Sequence, residues 1–325
     1  MTVRIINADV MDGLAQLDSE SVHCVVTSPP YWGLRDYGAA GQIGLEPTLA
    51  EHIAKLVQVF REVRRVLRKD GTLWLNYGDA YASGGAKGSG GGGNKGNAGS
   101  FYDFNGCSGA KPKDLIMMPE RLAIALQDDG WWVRSRIIWH KPNPMPESVT
   151  DRPTKSHEHI WLMTKSPRYF YDAEAIAERA TYDGPNSPDS IKSPYGQGFT
   201  RRAENVIPSG KQQKQSALGQ QLNGKLGSND DWGTRNARDV WTIATSPFPE
   251  AHFATFPPEL AERCIKAGCP SGGTVLDPFG GSGTTGLVAD RLQRNAVLIE
   301  LNPTYAAMAR KRLTNDAPLF AEVCA

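Results

Sequence analysis

Asp277-Pro278-Phe279-Gly280-Gly281-Ser282-Gly283-Thr284-Thr285-Gly286 separates a short apolar run, Thr274 to Asp277, from a stretch of helix-forming residues. A glycine-rich turn between a strand and a helix is the signature of a nucleotide-type pocket in an α/β sheet. Gly281, Gly283 and Gly286 satisfy G-x-G-x-x-G, and an acid, Glu300, closes the next apolar run from Ala296 to Leu301. An acid at the end of that second strand is placed for ribose hydroxyls.

The fingerprint alone also fits a nicotinamide dehydrogenase. In such enzymes the turn follows the strand directly, so that backbone N–H groups and a helix N-terminus meet a pyrophosphate. Here three residues, Pro278, Phe279 and Gly280, separate Asp277 at the strand end from the first fingerprint glycine. A carboxylate facing the ligand would repel a pyrophosphate and attract a cation. The ammonium and sulfonium of S-adenosyl-L-methionine meet that requirement.

Outward from this turn, six further short runs rich in β-branched and aromatic residues read as strands. They are Val3 to Ala8, Val22 to Thr27, Leu73 to Tyr77, Val133 to His140, His159 to Lys165 and Ala296 to Leu301. A helix is expected from Thr48 to Arg68, with Leu49, Ile53, Leu56, Phe60, Val63 and Leu67 on one stripe. Thr48 and Glu51 have capping-box spacing, and Gly71 is expected to close the helix in the left-handed conformation. Further helices are expected from Pro119 to Gly130 and from Pro258 to Gly268. The alternation implies an α/β fold: a Rossmann-like, seven-stranded, mostly parallel sheet.

A second motif, Thr27-Ser28-Pro29-Pro30-Tyr31-Trp32, directly follows the strand ending at Thr27. Two prolines stiffen the turn and remove donors, leaving the Ser28 and Pro29 carbonyls able to grip an amino group. The exocyclic nitrogen of cytosine or adenine is a poor nucleophile because its lone pair is delocalised into the ring. Holding both N–H groups would turn that lone pair toward a donor methyl. Tyr31 would then replace part of the stacking lost by a base removed from a duplex. Trp32 beside the turn is a further stacking candidate, whereas Trp131, Trp132, Trp139 and Trp161 read as sheet core. His157-Glu158-His159 lacks a third ligand at metal spacing, so no metal site is expected.

These motifs resemble the amino-methyltransferases of DNA whose motif order is circularly permuted, the β group. The Ser28 to Tyr31 segment resembles the family's catalytic motif, and Asp277 to Thr285 its cofactor loop. His252 to Pro257, including Thr255 and Phe256, resembles the segment that holds the methionine end of the cofactor, and Ile137 to Pro144 a segment near the target pocket. The resemblance implies the methyltransferase fold with one antiparallel strand, and S-adenosyl-L-methionine held by Asp9, Asp277, Phe279, Gly281, Ser282, Gly283, Thr284 and Glu300. It implies that the strand ending at Asp277 lies beside that ending at Thr27, with Glu300 and then Asp9 farther out. Ser-Pro-Pro-Tyr goes mostly with cytosine N4 and Asp-Pro-Pro-Tyr mostly with adenine N6. Methylation of RNA or of a protein amide is a more distant alternative.

Composition sets the remaining expectations. Charge is nearly balanced, 36 Lys+Arg against 35 Asp+Glu, so any nucleic-acid footprint must be local. Five cysteines without a CxxC pair and no long apolar run lead to a reduced, cytoplasmic, soluble protein without membrane partners. Residues 1–171 read as a catalytic half interrupted by a Gly-rich loop at 84–113, and 240–325 as the cofactor-binding half of the same domain. Between them, 172–239 has little periodicity and carries six bases against one acid from Lys192 to Lys225. The resemblance makes this a target-recognition insertion for double-stranded DNA, with Arg201, Arg202, Lys211 and Lys214 as contacts. It also admits a homodimer and a cognate restriction endonuclease.

Overall fold

The computed structural model describes residues 1–33, 38–39, 41–82, 111, 113–180, 234–245, 256–316 and 322–324. In chain order the elements are β1 (Thr2–Asn7), α1 (Val10–Ala15), β2 (Val22–Thr27), α2 (Leu49–Val66), β3 (Leu67–Tyr77), α3 (Met118–Asp128), β4 (Trp132–His140) and β5 (His157–Thr164). There follow β6 (Glu178–Arg179), β7 (Thr234–Arg235), β8 (Val240–Thr242), α4 (Pro258–Gly268), β9 (Thr274–Asp277), α5 (Thr284–Arg291), β10 (Asn295–Glu300), α6 (Pro303–Asp316) and β11 (Glu322–Cys324).

One sheet takes the order β11-β1-β10-β9-β2-β3-β5-β4-β8. Strand β5 runs antiparallel to both of its neighbours, and the other described pairs of this sheet are parallel. The sheet therefore has nine strands rather than seven. The two additions, β8 and β11, are edge strands of three residues each, too short to display a period of two. The strands bearing Asp277 and Thr27 are neighbours, with Glu300 and then β1 farther out, as the resemblance implied.

Helices cover both faces. Ile299 meets Gly13 of α1, while the preceding residue, Leu298, meets Gly283 and Gly286 at the start of α5. Successive residues of a strand point to opposite faces, so one strand serves both layers. On the α1 side the buried stripe of α2 is Leu49, His52, Leu56, Val59, Phe60, Val63 and Val66. It shares a core with Leu73, Leu75 and Tyr77 of β3 and with Leu122 and Leu126 of α3. The capping box is present, with the Glu51 N–H donating to Thr48 Oγ1 at 3.2 Å and the Thr48 N–H to Glu51 Oε2 at 3.2 Å.

The expected C-terminal glycine cap is not. The helix stops at Val66 because Leu67 turns to extended backbone (φ −70°, ψ 136°) and starts β3 at once. Gly71 lies inside that strand, where a Cβ would stand 2.6 Å from Leu67 Cδ1 and 2.9 Å from the His23 carbonyl oxygen. Its lack of a side chain serves close packing, not a left-handed turn.

The chain divides into two compact units, 1–176 with 238–325, and 177–237. The second contains the antiparallel pair β6-β7. Arg201, Arg202, Lys211 and Lys214 lie outside the described residues, as does most of 84–113. Among the described residues no helix is long and apolar enough to cross a membrane.

Candidate active site

The carboxyl ends of β1, β10, β9, β2 and β3 open into one cleft of about 930 Å3. It lies where strand order reverses, between β9 and β2, the place at which open α/β sheets bind ligands. Asp9, Asp277, Phe279, Gly281, Ser282, Thr284, Glu300 and Phe256 all reach its wall, and so do Ser28, Pro29, Pro30 and Tyr31. Thr255 lies outside the described residues. Gly283 is displaced from the wall: at φ +80° it precedes α5, and a Cβ there would meet Ala309 Cβ at 2.9 Å.

Asp277 departs from the reading of an open carboxylate. Its side chain is buried, and the hydroxyls of Thr27 and Thr285 donate to its two oxygens at 2.7 Å each, joined by the Phe279 N–H at 3.1 Å. A bare carboxylate at this depth would be costly, so β2, the glycine turn and α5 each supply a donor for it. Burial still pushes the carboxyl above its usual range, with the hydroxyls opposing.

Glu300 accepts the N–H groups of Gly281 at 2.7 Å and Asn302 at 2.8 Å. A carboxylate offers about four acceptor sites, so capacity remains for ligand hydroxyls. Burial raises its carboxyl, opposed by those same amides. Asp9 lies beyond the end of β1, as the N-cap of α1, where Oδ1 accepts the Met11 N–H at 2.8 Å.

The amides of the glycine turn are largely committed. Those of Phe279, Gly280, Gly281 and Gly283 donate to Asp277, Ile299, Glu300 and Gly280 respectively. A pyrophosphate would find these donors occupied and three acids nearby. A ligand with hydroxyls and positive charge fits; a dinucleotide does not.

Residues 22–311 match the sequence model of a family described as DNA methylase, of the N6/N4 type. The chain belongs to the N6/N4 DNA methylase family. Relatives include the type II methyltransferase M.SmaI of Serratia marcescens, 46% identical over 95% of this chain and 90% of its own length. The type II methyltransferase M.Cfr9I of Citrobacter freundii is 44% identical over 96% and 88%. Among solved structures, the PvuII DNA methyltransferase (cytosine-N4-specific) superposes with a TM-score of 0.60 at 18% identity, covering 99% of this chain and 96% of its own. A Thermus thermophilus protein in complex with S-adenosyl-L-methionine has a TM-score of 0.57 at 23% identity, over 100% and 98%. At these identities the two structures speak to the fold.

Around the methylase's proline turn the structure adds two groups of residues that sequence reading missed. Ser28 donates its hydroxyl to Tyr31 Oη at 3.4 Å, and Tyr31 donates to Glu158 Oε2 at 3.1 Å. Asn76 Nδ2 donates to the same oxygen at 3.1 Å, and Lys141 Nζ to Glu158 Oε1 at 2.5 Å. Burial alone would raise the Glu158 carboxyl; Lys141, Asn76 and Lys155 override it and hold the group below the ordinary range. The central acid of His157-Glu158-His159 thus faces the proline turn.

Beneath the turn lies a buried relay. Glu46 Oε2 meets His52 Nδ1 at 2.7 Å, and His52 Nε2 meets the Tyr77 hydroxyl at 2.8 Å. That hydroxyl is 3.5 Å from the Pro30 carbonyl, and the Tyr77 ring packs on Tyr31 with centroids 4.8 Å apart. Trp32 is buried and donates to the Glu46 carbonyl at 2.8 Å, so it belongs to this support. Trp131, Trp139 and Trp161 are buried as expected, Trp139 also lining the cleft, whereas Trp132, which opens β4 on the more exposed half of that strand, is 46% exposed and not core. A polar residue on an apolar stripe, His52, was the available sign of the relay.

The packing around Tyr31 can be tested at Gly78, where a Cβ would stand 2.5 Å from Tyr31 Cε2. Gly78→Ala should therefore displace the Tyr31 ring and lower single-turnover methyl transfer by roughly tenfold or more, with donor affinity within about twofold in calorimetry. Unchanged transfer would mean that the ring's position does not matter.

The relay can be tested in acid. Burial opposes ionisation of Glu46, yet the hydrogen bonds from His52 and the Gly44 N–H hold its carboxyl down at about 2, against 4.5 unperturbed. A depressed carboxyl contributes stability that is present above the unfolded value and is lost as pH falls through the folded one. Urea midpoints of the wild type should therefore fall more steeply from pH 4.5 to about 2 than those of Glu46→Gln. Parallel acid limbs would rule out this linkage.

Proposed function

We propose that this DNA methylase transfers a methyl group from S-adenosyl-L-methionine to the N4 amino group of a cytosine turned out of double-stranded DNA. The observation that carries the reading is the pairing, across one cleft, of the Ser28-Pro29 turn with acids at the ends of β1, β9 and β10. When bound, S-adenosyl-L-methionine supplies an electrophilic methyl on a sulfonium. Glu300 takes the ribose hydroxyls and Asp9 the adenine amino group, while Phe256, Phe279, Gly281, Ser282 and Thr284 shape the remainder, with Thr255 at the methionine end. Asp277 holds the two sides together.

On the base side, the Ser28 hydroxyl or carbonyl and the Pro29 carbonyl accept the two amino hydrogens, Pro30 keeps the turn rigid, and Tyr31 meets the base. Transfer is a single displacement: nitrogen forms a bond to the methyl carbon as the carbon–sulfur bond breaks, and the cationic amine then loses a proton. No enzyme nucleophile is needed. The resemblance of Ser28-Pro29-Pro30-Tyr31 to the motif that goes mostly with cytosine N4 favours cytosine, since the ring nitrogen to which the Ser28 hydroxyl can donate is common to both bases. Adenine N6 is the other outcome that the family admits. Residues 172–239 choose the sequence, the basic side chains Arg201, Arg202, Lys211 and Lys214 meeting phosphates. The relatives' designation as type II methyltransferases supports a restriction–modification setting with a cognate endonuclease.

DNA methylated by the pure protein, digested to nucleosides and resolved by mass, should yield N4-methylcytosine; N6-methyladenine alone would overturn the base assignment. Replacing Arg201, Arg202, Lys211 and Lys214 with Gln should weaken DNA binding and flatten the slope of log affinity against log salt by roughly 3 to 4. An unchanged slope would remove these side chains from the DNA contact.

A further inference from the structure

Arg312, near the C-terminal end of α6, reaches back to the glycine turn. Its Nη1 donates to Thr284 Oγ1 at 2.9 Å and to the hydroxyl and carbonyl oxygens of Ser282 at 3.3 Å each. Arg312 does not line the cleft, whereas Ser282 and Thr284 do, with only 2% and 4% of their surface exposed. A hydroxyl has one hydrogen to give and two lone pairs with which to accept, and a guanidinium only donates. With Arg312 on a lone pair of each oxygen, neither hydrogen can be spent on it. Both hydroxyls are left as donors, strengthened by the cation that polarises them. Donors buried in this way call for an acceptor.

The chemistry of the methyl donor names that acceptor. S-adenosyl-L-methionine carries a sulfonium, an ammonium, ribose hydroxyls and an adenine, and its only anionic group is a carboxylate. Asp9, Asp277 and Glu300 on the same wall suit the cationic groups and the hydroxyls, but they would repel the carboxylate. The amides of Phe279, Gly280, Gly281 and Gly283 are already committed. The two hydroxyls, with a guanidinium bound to them, are the complement on this wall. We propose that Arg312 is a positioning residue for the methyl donor: it occupies the acceptor side of Ser282 and Thr284, so that both hydroxyls donate to the donor's carboxylate with a positive charge close by. The inference rests on the placement of the donor in this cleft and is independent of which base is methylated. In the competing account Arg312 only braces the glycine turn against α6, as the close approach of Gly283 to Ala309 does.

The two accounts separate in calorimetry of the DNA-free protein with two ligands, S-adenosyl-L-methionine and the analogue that has hydrogen in place of the carboxylate. The wild type should bind the analogue more weakly by roughly 10- to 100-fold, the range for one charged hydrogen bond. Arg312→Met should lose roughly tenfold or more toward S-adenosyl-L-methionine and stay within about twofold toward the analogue. A brace would act on both ligands alike, because the analogue keeps every other group, so equal losses overturn the inference. In a protein already carrying Ser282→Ala and Thr284→Val, the Arg312 change should cost little more; a full further loss would mean that Arg312 does not act through the hydroxyls and would also overturn it. Arg312→Gln carries the same comparison should the Met variant fail to fold. Glu300→Gln distinguishes the levels of failure. If that variant binds S-adenosyl-L-methionine as tightly as the wild type, the donor placement beneath the inference is defeated, whereas weakened binding there with equal losses at Arg312 defeats this inference alone.

Discussion

The Asp277 carboxylate receives the hydroxyls of Thr27 and Thr285 at 2.7 Å each. Thr27 is the last residue of β2, immediately before the proline turn, and Thr285 stands in the first turn of α5, immediately after the glycine turn. One buried side chain thereby ties together two loops whose strands pair at Cys24–Val275 and Val25–Leu276, a link to which Thr285 Oγ1 adds a hydrogen bond to the Val26 carbonyl at 3.3 Å. Register in a sheet sets distance along the strands, but it does not hold the loops beyond their ends. The proposed single displacement demands that nucleophile and methyl be closely aligned. A carboxylate bonded on both oxygens is a stiff way to achieve that, and its burial makes each bond stronger than it would be in water.

Polarity is divided along the cleft in keeping with this. Asp9, Asp277 and Glu300 lie on the β1-β10-β9 side, whereas Lys141, Lys155 and Glu158 lie on the β4-β5 side. The first side carries acids alone, which suits a cationic ligand, whereas on the second the two lysines are matched by two acids, Glu147 and Glu158. The antiparallel strand β5 contributes Glu158 between β3 and β4, which brings it beside Asn76 of β3 and within reach of Lys141 just past β4. The reversal of that strand thus has a chemical consequence, since it sets an acid from the far half of the sheet against Tyr31.

What could be read in the sequence was whatever has a local physical signature. The bounds of β2, β9 and α4 were legible because β-branched runs and an N-terminal proline mark them. The order of the central strands came from resemblance, and three-residue edge strands carry no period to read. Gly71 misled because a glycine after an amphipathic stripe usually signals a cap, whereas here it serves packing against Leu67 and the His23 carbonyl. Asp277 was located correctly at the strand end, but its hydrogen-bond partners are 250 and 8 residues away. Only the first separation is invisible to a local pattern, and it is the one that changes an open carboxylate into a committed one.

The Glu46-His52-Tyr77 relay and the Glu158-Lys141 pair share a feature that explains why neither was legible. Each gathers residues from separate elements, and each places ionisable or polar groups behind a residue of the proline turn rather than in it. The turn itself is short and uses backbone carbonyls, which carry no sequence signal beyond the prolines. Backbone carbonyls can hold an amino group in tetrahedral geometry only if the turn cannot relax when the base arrives. The Pro30 carbonyl is backed by Tyr77, and the Tyr31 ring is held by Tyr77 on one side and by its hydroxyl bond to Glu158 on the other. Rigidity at Ser28 to Tyr31 is therefore a property of buried groups contributed by α2, β3 and β5, and a substitution in those elements should reach the chemistry without touching either ligand.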